Sequence, residues 1–106
     1  MADLTELQDR IAEFVEVRRW GEFQTPKNLA MALTGEVGEL VEILQWLTPE
    51  QAKAAGSDAQ LRPRLEDEVA DVLIYLLSLA RSLDIDALEA ALAKVTRNEL
   101  RFPRDP

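Results

Sequence analysis

The sequence predicts an all-α protein built as a four-helix bundle. Along four long segments, apolar residues recur at intervals of three and four, which is the spacing of one helix face. Each segment begins with residues typical of a helix N-terminus, and no segment alternates apolar and polar residues over a useful length. With 106 residues and neither a repeat nor an internal boundary, residues 1–106 are expected to form a single domain.

The first helix is predicted over about residues 4–19. Residues 5–8, Thr-Glu-Leu-Gln, have the form of a capping box, and Ile11 and Phe14 continue the apolar face. A loop is predicted over residues 20–25, because this stretch is aromatic and contains a glycine.

The second helix is predicted to begin at Thr25-Pro26, an N-cap followed by proline at the first helical position, and to run to about residue 47. Residues 48–51, Thr-Pro-Glu-Gln, predict a short helix that ends near Gly56. Residues 52–63 are therefore the one stretch that we expect to be flexible.

The third long helix is predicted to open at Arg62-Pro63 and to reach about Leu83, and the last to begin at residues 86–89 and end before Phe102-Pro103. In the middle of the third helix, residues 72–77 are apolar on every side. One side of such a helix stays exposed in a small domain, so we expect a second copy of the chain to cover it.

Composition excludes several classes of protein. There are 20 Asp and Glu against 12 Lys and Arg, a net charge of −8, which argues against nonspecific nucleic-acid binding. Cysteine and histidine are absent, and with them disulfides, zinc sites and histidine-based catalysis. The longest apolar run is too short for a membrane span and no signal peptide is recognised, so we expect a cytoplasmic protein.

Four acidic residues fall where helical spacing predicts a buried or half-buried side chain. Glu36 lies on the apolar stripe of the second helix with Glu39 beside it, and Glu68 and Asp71 repeat the pattern on the third helix. Desolvated carboxylates repel one another unless a cation neutralises them, and few Lys or Arg residues share these faces. Oxygen ligands without His or Cys favour a hard cation, so the pattern predicts Mg²⁺, with Mn²⁺ tolerated.

Two further groups are suited to a nucleotide, whose triphosphate is a frequent ligand of Mg²⁺. Trp20 and Phe23, in the polar loop before the second helix, can stack on a base. Lys94, Asn98 and Arg101 share one face of the last helix and can contact a polyphosphate. Each feature also has an ordinary explanation: core packing for aromatic rings, favourable charge placement near a helix C-terminus, and solvation for acids.

The two acid pairs, Glu36-Val37-Gly38-Glu39 and Glu68-Val69-Ala70-Asp71, resemble the ExxE and ExxD signature of the all-α NTP pyrophosphohydrolases, the MazG and dCTP pyrophosphatase superfamily. The resemblance runs from about residue 7 to residue 103 and is similar to the dCTP pyrophosphatase-like branch. Its further motifs are Trp20-x-x-Phe23, Pro26-Lys27-Asn28-Leu29, Gln45-Trp46, Asp71-Val72-Leu73-Ile74-Tyr75-Leu76 and Lys94-x-x-x-Asn98-x-x-Arg101-Phe102-Pro103.

The resemblance implies a Mg²⁺-dependent enzyme that hydrolyses a nucleoside triphosphate, such as dCTP or a modified form, to the monophosphate and pyrophosphate. The implied metal ligands and catalytic residues are Glu36, Glu39, Glu68 and Asp71. The implied nucleoside pocket consists of Trp20, Phe23, Gln24 and Trp46, with Tyr75 near the sugar or phosphates. A homodimer or homotetramer with the site near subunit contacts is also implied.

One departure from the branch concerns the substrate. Animal members carry histidines at two substrate-contact positions, which align here with Ile11 and Gln24. Two alternatives stay open at this stage. One is an enzyme of the phosphoribosyl-ATP pyrophosphohydrolase kind, which shares the fold and the metal ligands, and the other is a non-catalytic helical interaction module with solvated acids.

Overall fold

The computed structural model describes residues 2–104, which contain five α-helices and no strand. The helices are α1 (Leu4–Val17), α2 (Pro26–Leu44), α3 (Pro49–Ala54), α4 (Leu61–Ser82) and α5 (Ala87–Arg101), with 3₁₀ turns at Gly21–Phe23 and Ala55–Ser57. The prediction of an all-α fold with four long helices is confirmed. None of the helices in the described range is long and apolar enough to cross a membrane.

Side-chain caps begin three helices where the sequence predicts them. Thr25 Oγ1 accepts a hydrogen bond from the backbone N–H of Asn28 (3.2 Å), directly before Pro26. Thr48 and Gln51 form both bonds of a capping box, and Asp86 caps α5. These caps satisfy backbone N–H groups that have no partner inside the helix.

The predicted capping box of α1 is wrong by two residues. Asp3, and not Thr5, is the N-cap, and its carboxylate accepts a hydrogen bond of 2.8 Å from the backbone N–H of Glu6. An ionised carboxylate at this position also interacts favourably with the helix dipole, which explains why it is the cap.

α1 ends at Val17, two residues before the predicted end. Arg19 adopts a left-handed conformation (φ 56°), and the N–H of Trp20 donates to the carbonyl of Val15 (3.1 Å). Together with the bond from Arg19 N–H to Glu16 (3.0 Å), this is a Schellman motif, which reverses the chain direction. α4 ends in the same way at Asp84 (φ 54°). The Schellman motif after α1 sets the direction of the loop that contains Trp20.

The prediction of a flexible stretch over residues 52–63 is wrong. α3 continues into a 3₁₀ turn in which Ala55 is buried, and α4 already begins at Leu61. The guanidinium of Arg62 donates to the carbonyl of Gly56 (3.0 Å) and ties the turn to α4. The end of α2 also differs from the prediction: the helix ends at Leu44 rather than near residue 47, because Thr48 is extended as the N-cap of α3.

α2 and α4 form the main helix pair and contain most of the buried apolar residues. Leu29 and Ile43 of α2 and Leu77 and Ala80 of α4 are buried. Glu36 lies close to Asp71, whereas Ile43 shares a cleft with Arg64 seven residues earlier in α4, so the helices run antiparallel. This arrangement brings the two acid pairs to the same level of the helix pair.

The outer helices leave large apolar areas exposed. Leu88, Leu92 and Val95 of α5 are each at least half exposed, and α5 has no extensive contact with another helix in the described range. The radius of gyration is 16.8 Å, whereas a compact domain of this size has about 13 Å. A single chain is therefore an open arrangement.

Candidate functional site

Three carboxylates of the α2–α4 pair converge. Glu36, Glu39 and Glu68 each offer one oxygen, and these oxygens all lie within 4.8 Å of one another. Glu36 and Glu68 are half-buried, while Glu39 is exposed at the rim. The i and i+3 spacing on α2 puts the first two acids side by side, and the antiparallel packing brings Glu68 opposite them. We call these three residues the acid cluster.

The electrostatics of the acid cluster are unfavourable when it holds no cation. Burial, followed by repulsion from Glu39 and Asp71, raises the pKa of Glu36. Burial and contacts with Glu39 and Glu36 raise the pKa of Glu68 from its ordinary 4.5 to about 7. Negative side chains crowded in this way bind protons unless a cation replaces them.

Two oxygens of the acid cluster have no hydrogen-bond partner. Oε2 of Glu36 and Oε2 of Glu68 are buried and unpaired, which is costly for a polar atom. The described residues contain one ion pair, Arg62 with Glu66, so no Lys or Arg side chain pairs with the cluster. Oxygen donors, unpaired buried atoms and a shortage of cations together fit a hard divalent ion.

A cleft of about 490 Å³ lies beside the acid cluster. Its walls come from α1, α4 and the loop between α1 and α2, and we call it the α1–α4 cleft. Its lining residues are Leu7, Arg10, Ile11, Phe14, Val15, Trp20, Gln24, Asp71, Ile74, Tyr75 and Ser78. Asp71 lines the cleft and also acts on the pKa of Glu36, so it connects the cleft to the acid cluster.

Trp20 is held in the cleft wall by local structure. The Schellman motif fixes its backbone, and its ring packs edge-on against Phe14 with the centroids 5.6 Å apart. The guanidinium of Arg18 lies 3.6 Å from the centre of the Phe14 ring. A flat indole face on one wall of a cleft suits stacking on a nucleobase.

The other residues predicted for the site lie outside this cleft. Phe23 is more than half exposed, and Trp46, in the turn after α2, is 83% exposed. Lys94 and Arg101 are exposed on α5, and Asn98 is half-buried there. A single chain therefore brings Trp20, Gln24 and Tyr75 into one cleft with Asp71, whereas these five side chains do not line that cleft.

Two polar cleft residues, Arg10 and Ser78, were not predicted from the sequence. Arg10 brings a cation to the α1 wall, and Ser78 lies on the same α4 face as Asp71 and Tyr75. Their spacing was visible, since Arg10 precedes Phe14 by one helical turn and Ser78 follows Tyr75 by three residues. An Arg or a Ser at such a position is usually a surface or packing residue, so spacing alone did not single them out.

The fold and the acid cluster define an all-α protein with a carboxylate centre between two antiparallel helices, next to a cleft with aromatic walls. The chain belongs to the MazG nucleotide pyrophosphohydrolase domain family, whose profile matches residues 24–103. That match includes both acid pairs and α5.

Similar proteins agree with this assignment. Human dCTP pyrophosphatase 1 is 44% identical over 92 residues, and the bovine protein is 41% identical over the same length. These stretches cover 87% of this chain but 54% of either relative, so the chain spans about half the length of the curated relatives it matches. The crystal structure of a pyrophosphatase from Archaeoglobus fulgidus superimposes with a TM-score of 0.89 at 37% identity, covering 98% of this chain and 95% of that one.

Proposed function

We propose that this protein is a Mg²⁺-dependent pyrophosphohydrolase that converts a deoxynucleoside triphosphate, with dCTP as the first candidate, to the monophosphate and pyrophosphate. The main support for this proposal is the position of Asp71. It lines the α1–α4 cleft, and its negative charge lies close enough to the acid cluster to raise the pKa of Glu36. A nucleoside in the cleft then has its phosphates next to the carboxylates. The similarity to dCTP pyrophosphatase 1 supports the choice of dCTP.

The acid cluster and Asp71 are the groups that would hold Mg²⁺. When bound there, the ion offsets the charge of the phosphate oxygens and makes water a better nucleophile at neutral pH. The carboxylates themselves have a second task, because one of them can accept the proton of the attacking water. Glu36 and Glu39 are the candidates for this general base.

The cleft residues bind and orient the nucleotide. The indole of Trp20 stacks on the base, Tyr75 contacts the sugar or the phosphates, and the amide of Gln24 hydrogen-bonds to the base. Arg10, on the opposite wall from α4, offers a guanidinium to a phosphate oxygen. Rigid positioning of this kind keeps the scissile phosphate next to the acids.

A second copy of the chain is part of the proposal. The exposed apolar sides of α4 and α5, with Leu76 at 46% and Leu92 at 54%, support a homodimer or homotetramer. Assembly can also bring Phe23, Trp46 and the α5 cations of a partner to the nucleotide. Since the substrates are free nucleotides, we propose a cytoplasmic location.

The test is a panel of canonical and modified NTPs and dNTPs with Mg²⁺, with both products identified. We expect pyrophosphate and a monophosphate in equal amounts, and loss of turnover in Glu39→Gln and Asp71→Asn with the helical circular dichroism retained. Glu42→Gln, one helical turn from Glu39 on α2, is the control and should stay active. Turnover of phosphoribosyl-ATP alone, or full activity in Glu39→Gln, would contradict the proposal.

A further inference from the structure

The α1–α4 cleft continues into a second cleft of about 400 Å³ at the end away from the acid cluster. Four residues line both cavities: Ile11, Val15, Gln24 and Ser78. Since Asp71 marks the acid end of the first cleft, Ser78, the last α4 residue that lines it, marks the other end of its α4 wall. If the proposed function is right, the far end is where the base of a bound nucleotide lies.

Ser78 lies on the same face of α4 as Asp71. It follows Asp71 by seven residues, nearly two turns, and Tyr75 lies between them, so all three share one face of the helix. At about 1.5 Å per residue, Ser78 is about 10 Å along the axis from Asp71. A nucleoside with its first phosphate covers a comparable length, which places the edge of the base next to Ser78.

The hydroxyl of Ser78 has a fixed hydrogen-bonding direction. Ser78 is buried, with 8% of its surface exposed, and its Oγ donates to the carbonyl of Ile74 at 2.8 Å. A hydroxyl has one proton to donate and two lone pairs to accept with. Because the hydroxyl proton of Ser78 is already donated to the carbonyl of Ile74, the hydroxyl oxygen can only accept a hydrogen bond from a ligand in the cleft.

We propose that Ser78 is a specificity-determining residue, which accepts a hydrogen bond from an exocyclic amino group of the base. The site then favours amino bases, such as cytosine or adenine, over the corresponding keto bases. A keto oxygen at the same place faces an acceptor and loses its own hydrogen bonds to water without replacement. Gln24, the other polar residue shared by the two clefts, has an amide that donates and accepts, so it does not discriminate in this way.

The test compares substrate pairs in which a keto group replaces the amino group and the adjacent ring nitrogen changes from an acceptor to an N–H donor: dCTP with dUTP, and dATP with dITP. For Ser78→Ala we expect the amino-to-keto ratio of kcat/KM to fall about fivefold in each pair that the enzyme accepts, the value of one neutral hydrogen bond. Ser82→Ala is the matched control, since its Oγ makes an equivalent bond to Leu79 (2.7 Å) and lines only the second cleft. Its ratio should equal that of the wild type.

Two other measurements separate the possible failures. Binding of dCMP and dUMP without metal should show the same change in preference for Ser78→Ala. Ser78→Cys, which is slightly larger than serine and accepts hydrogen bonds poorly, should repeat that change. No pyrophosphate from any triphosphate of the full panel would overturn the proposed function. Pyrophosphate release with an unchanged ratio in Ser78→Ala, or an equal change in Ser82→Ala, would overturn the role of Ser78 alone.

Discussion

At the scale of single residues, the position of the acids follows from helical spacing, and their electrostatics follow from packing. Glu36 falls seven residues after Leu29 and seven before Ile43, and the structure puts it half-buried on the face those two residues share. The distance between Glu36 and Glu68 depends on how α2 and α4 pack, which one sequence does not state. Arg10 and Ser78 could not be predicted for the same reason, because their access to the cleft depends on the angle of α1 against α4.

The raised pKa of Glu68 leads to a prediction for the metal-free protein. Its folded pKa is about 7, against an ordinary value of 4.5, so the folded state binds the proton more tightly than the unfolded state. The resulting stabilisation is fully present below pH 4.5 and is lost as the pH rises through 7. In EDTA, Glu68→Gln, which cannot ionise, should therefore unfold at a higher temperature than the wild type at pH 8.

The difference in Tm between Glu68→Gln and the wild type should narrow at pH 5, where the wild-type carboxyl is protonated. Because Mg²⁺ must displace the proton, stabilisation of the wild type by Mg²⁺ should grow between pH 6 and pH 8. Thermal unfolding followed by circular dichroism measures both effects. A Tm difference that does not change with pH would show that Glu68 is not crowded by the other acids.

At the scale of helices, the starts were predicted better than the ends. Thr25, Thr48 and Asp86 cap helices as their local sequences indicate, since a cap depends on a few neighbouring residues. The helix ends depend on features that the sequence shows less clearly. After α1, Arg19 rather than a glycine adopts the left-handed conformation. α2 ends early because Thr48 is extended as the N-cap of α3. Boundaries of this kind are set by backbone geometry that several residues can adopt.

The start of α4 supplies a prediction at this scale. One carboxylate oxygen of Asp58 accepts hydrogen bonds from the backbone N–H groups of Gln60 (2.8 Å) and Leu61 (3.0 Å), and these bonds lower the pKa of Asp58. Asp58→Ala should lower Tm at pH 7, because free N–H groups are left at the beginning of the helix that carries Glu68 and Asp71. Asp58→Asn, whose amide oxygen can still accept, should retain most of the stability.

The same bonds give a pH dependence of defined sign. A lowered folded pKa contributes stability above the ordinary value of 3.8, and this contribution is lost as the pH falls through the folded value. The Tm advantage of the wild type over Asp58→Asn should therefore disappear in acid. An equal Tm for wild type and Asp58→Ala at pH 7 would mean that the start of α4 is held by other contacts, such as the bond from Arg62 to Gly56.

At the scale of the whole molecule, the sequence predicts the all-α fold. It predicts only in part how much apolar surface a single chain leaves exposed. The apolar middle of α4 indicated a covered surface, and Leu73 and Leu76 are indeed more than a third exposed in one chain. The extent to which α5 stands apart was not foreseen, because an amphipathic sequence does not reveal which helix it faces. The site residues of α5 therefore stay a prediction that depends on assembly.

The assembly is testable by light scattering coupled to size exclusion. We expect a dimer or tetramer for the wild type and dissociation to smaller species for Leu92→Glu, which puts a charge on the exposed apolar side of α5. Ala90→Glu, on the opposite side of the same helix, is the control and should keep the wild-type mass. A monomeric wild type at micromolar concentration would contradict the prediction.

Anomalous diffraction from crystals soaked in Mn²⁺ can locate a divalent ion held by the acid cluster beside the α1–α4 cleft. We expect an anomalous peak in contact with Glu36, Glu39 and Glu68, on the side of Asp71, and no such peak in Glu39→Gln crystals. Crystals whose Mn²⁺ peaks all lie away from these carboxylates would contradict this expectation.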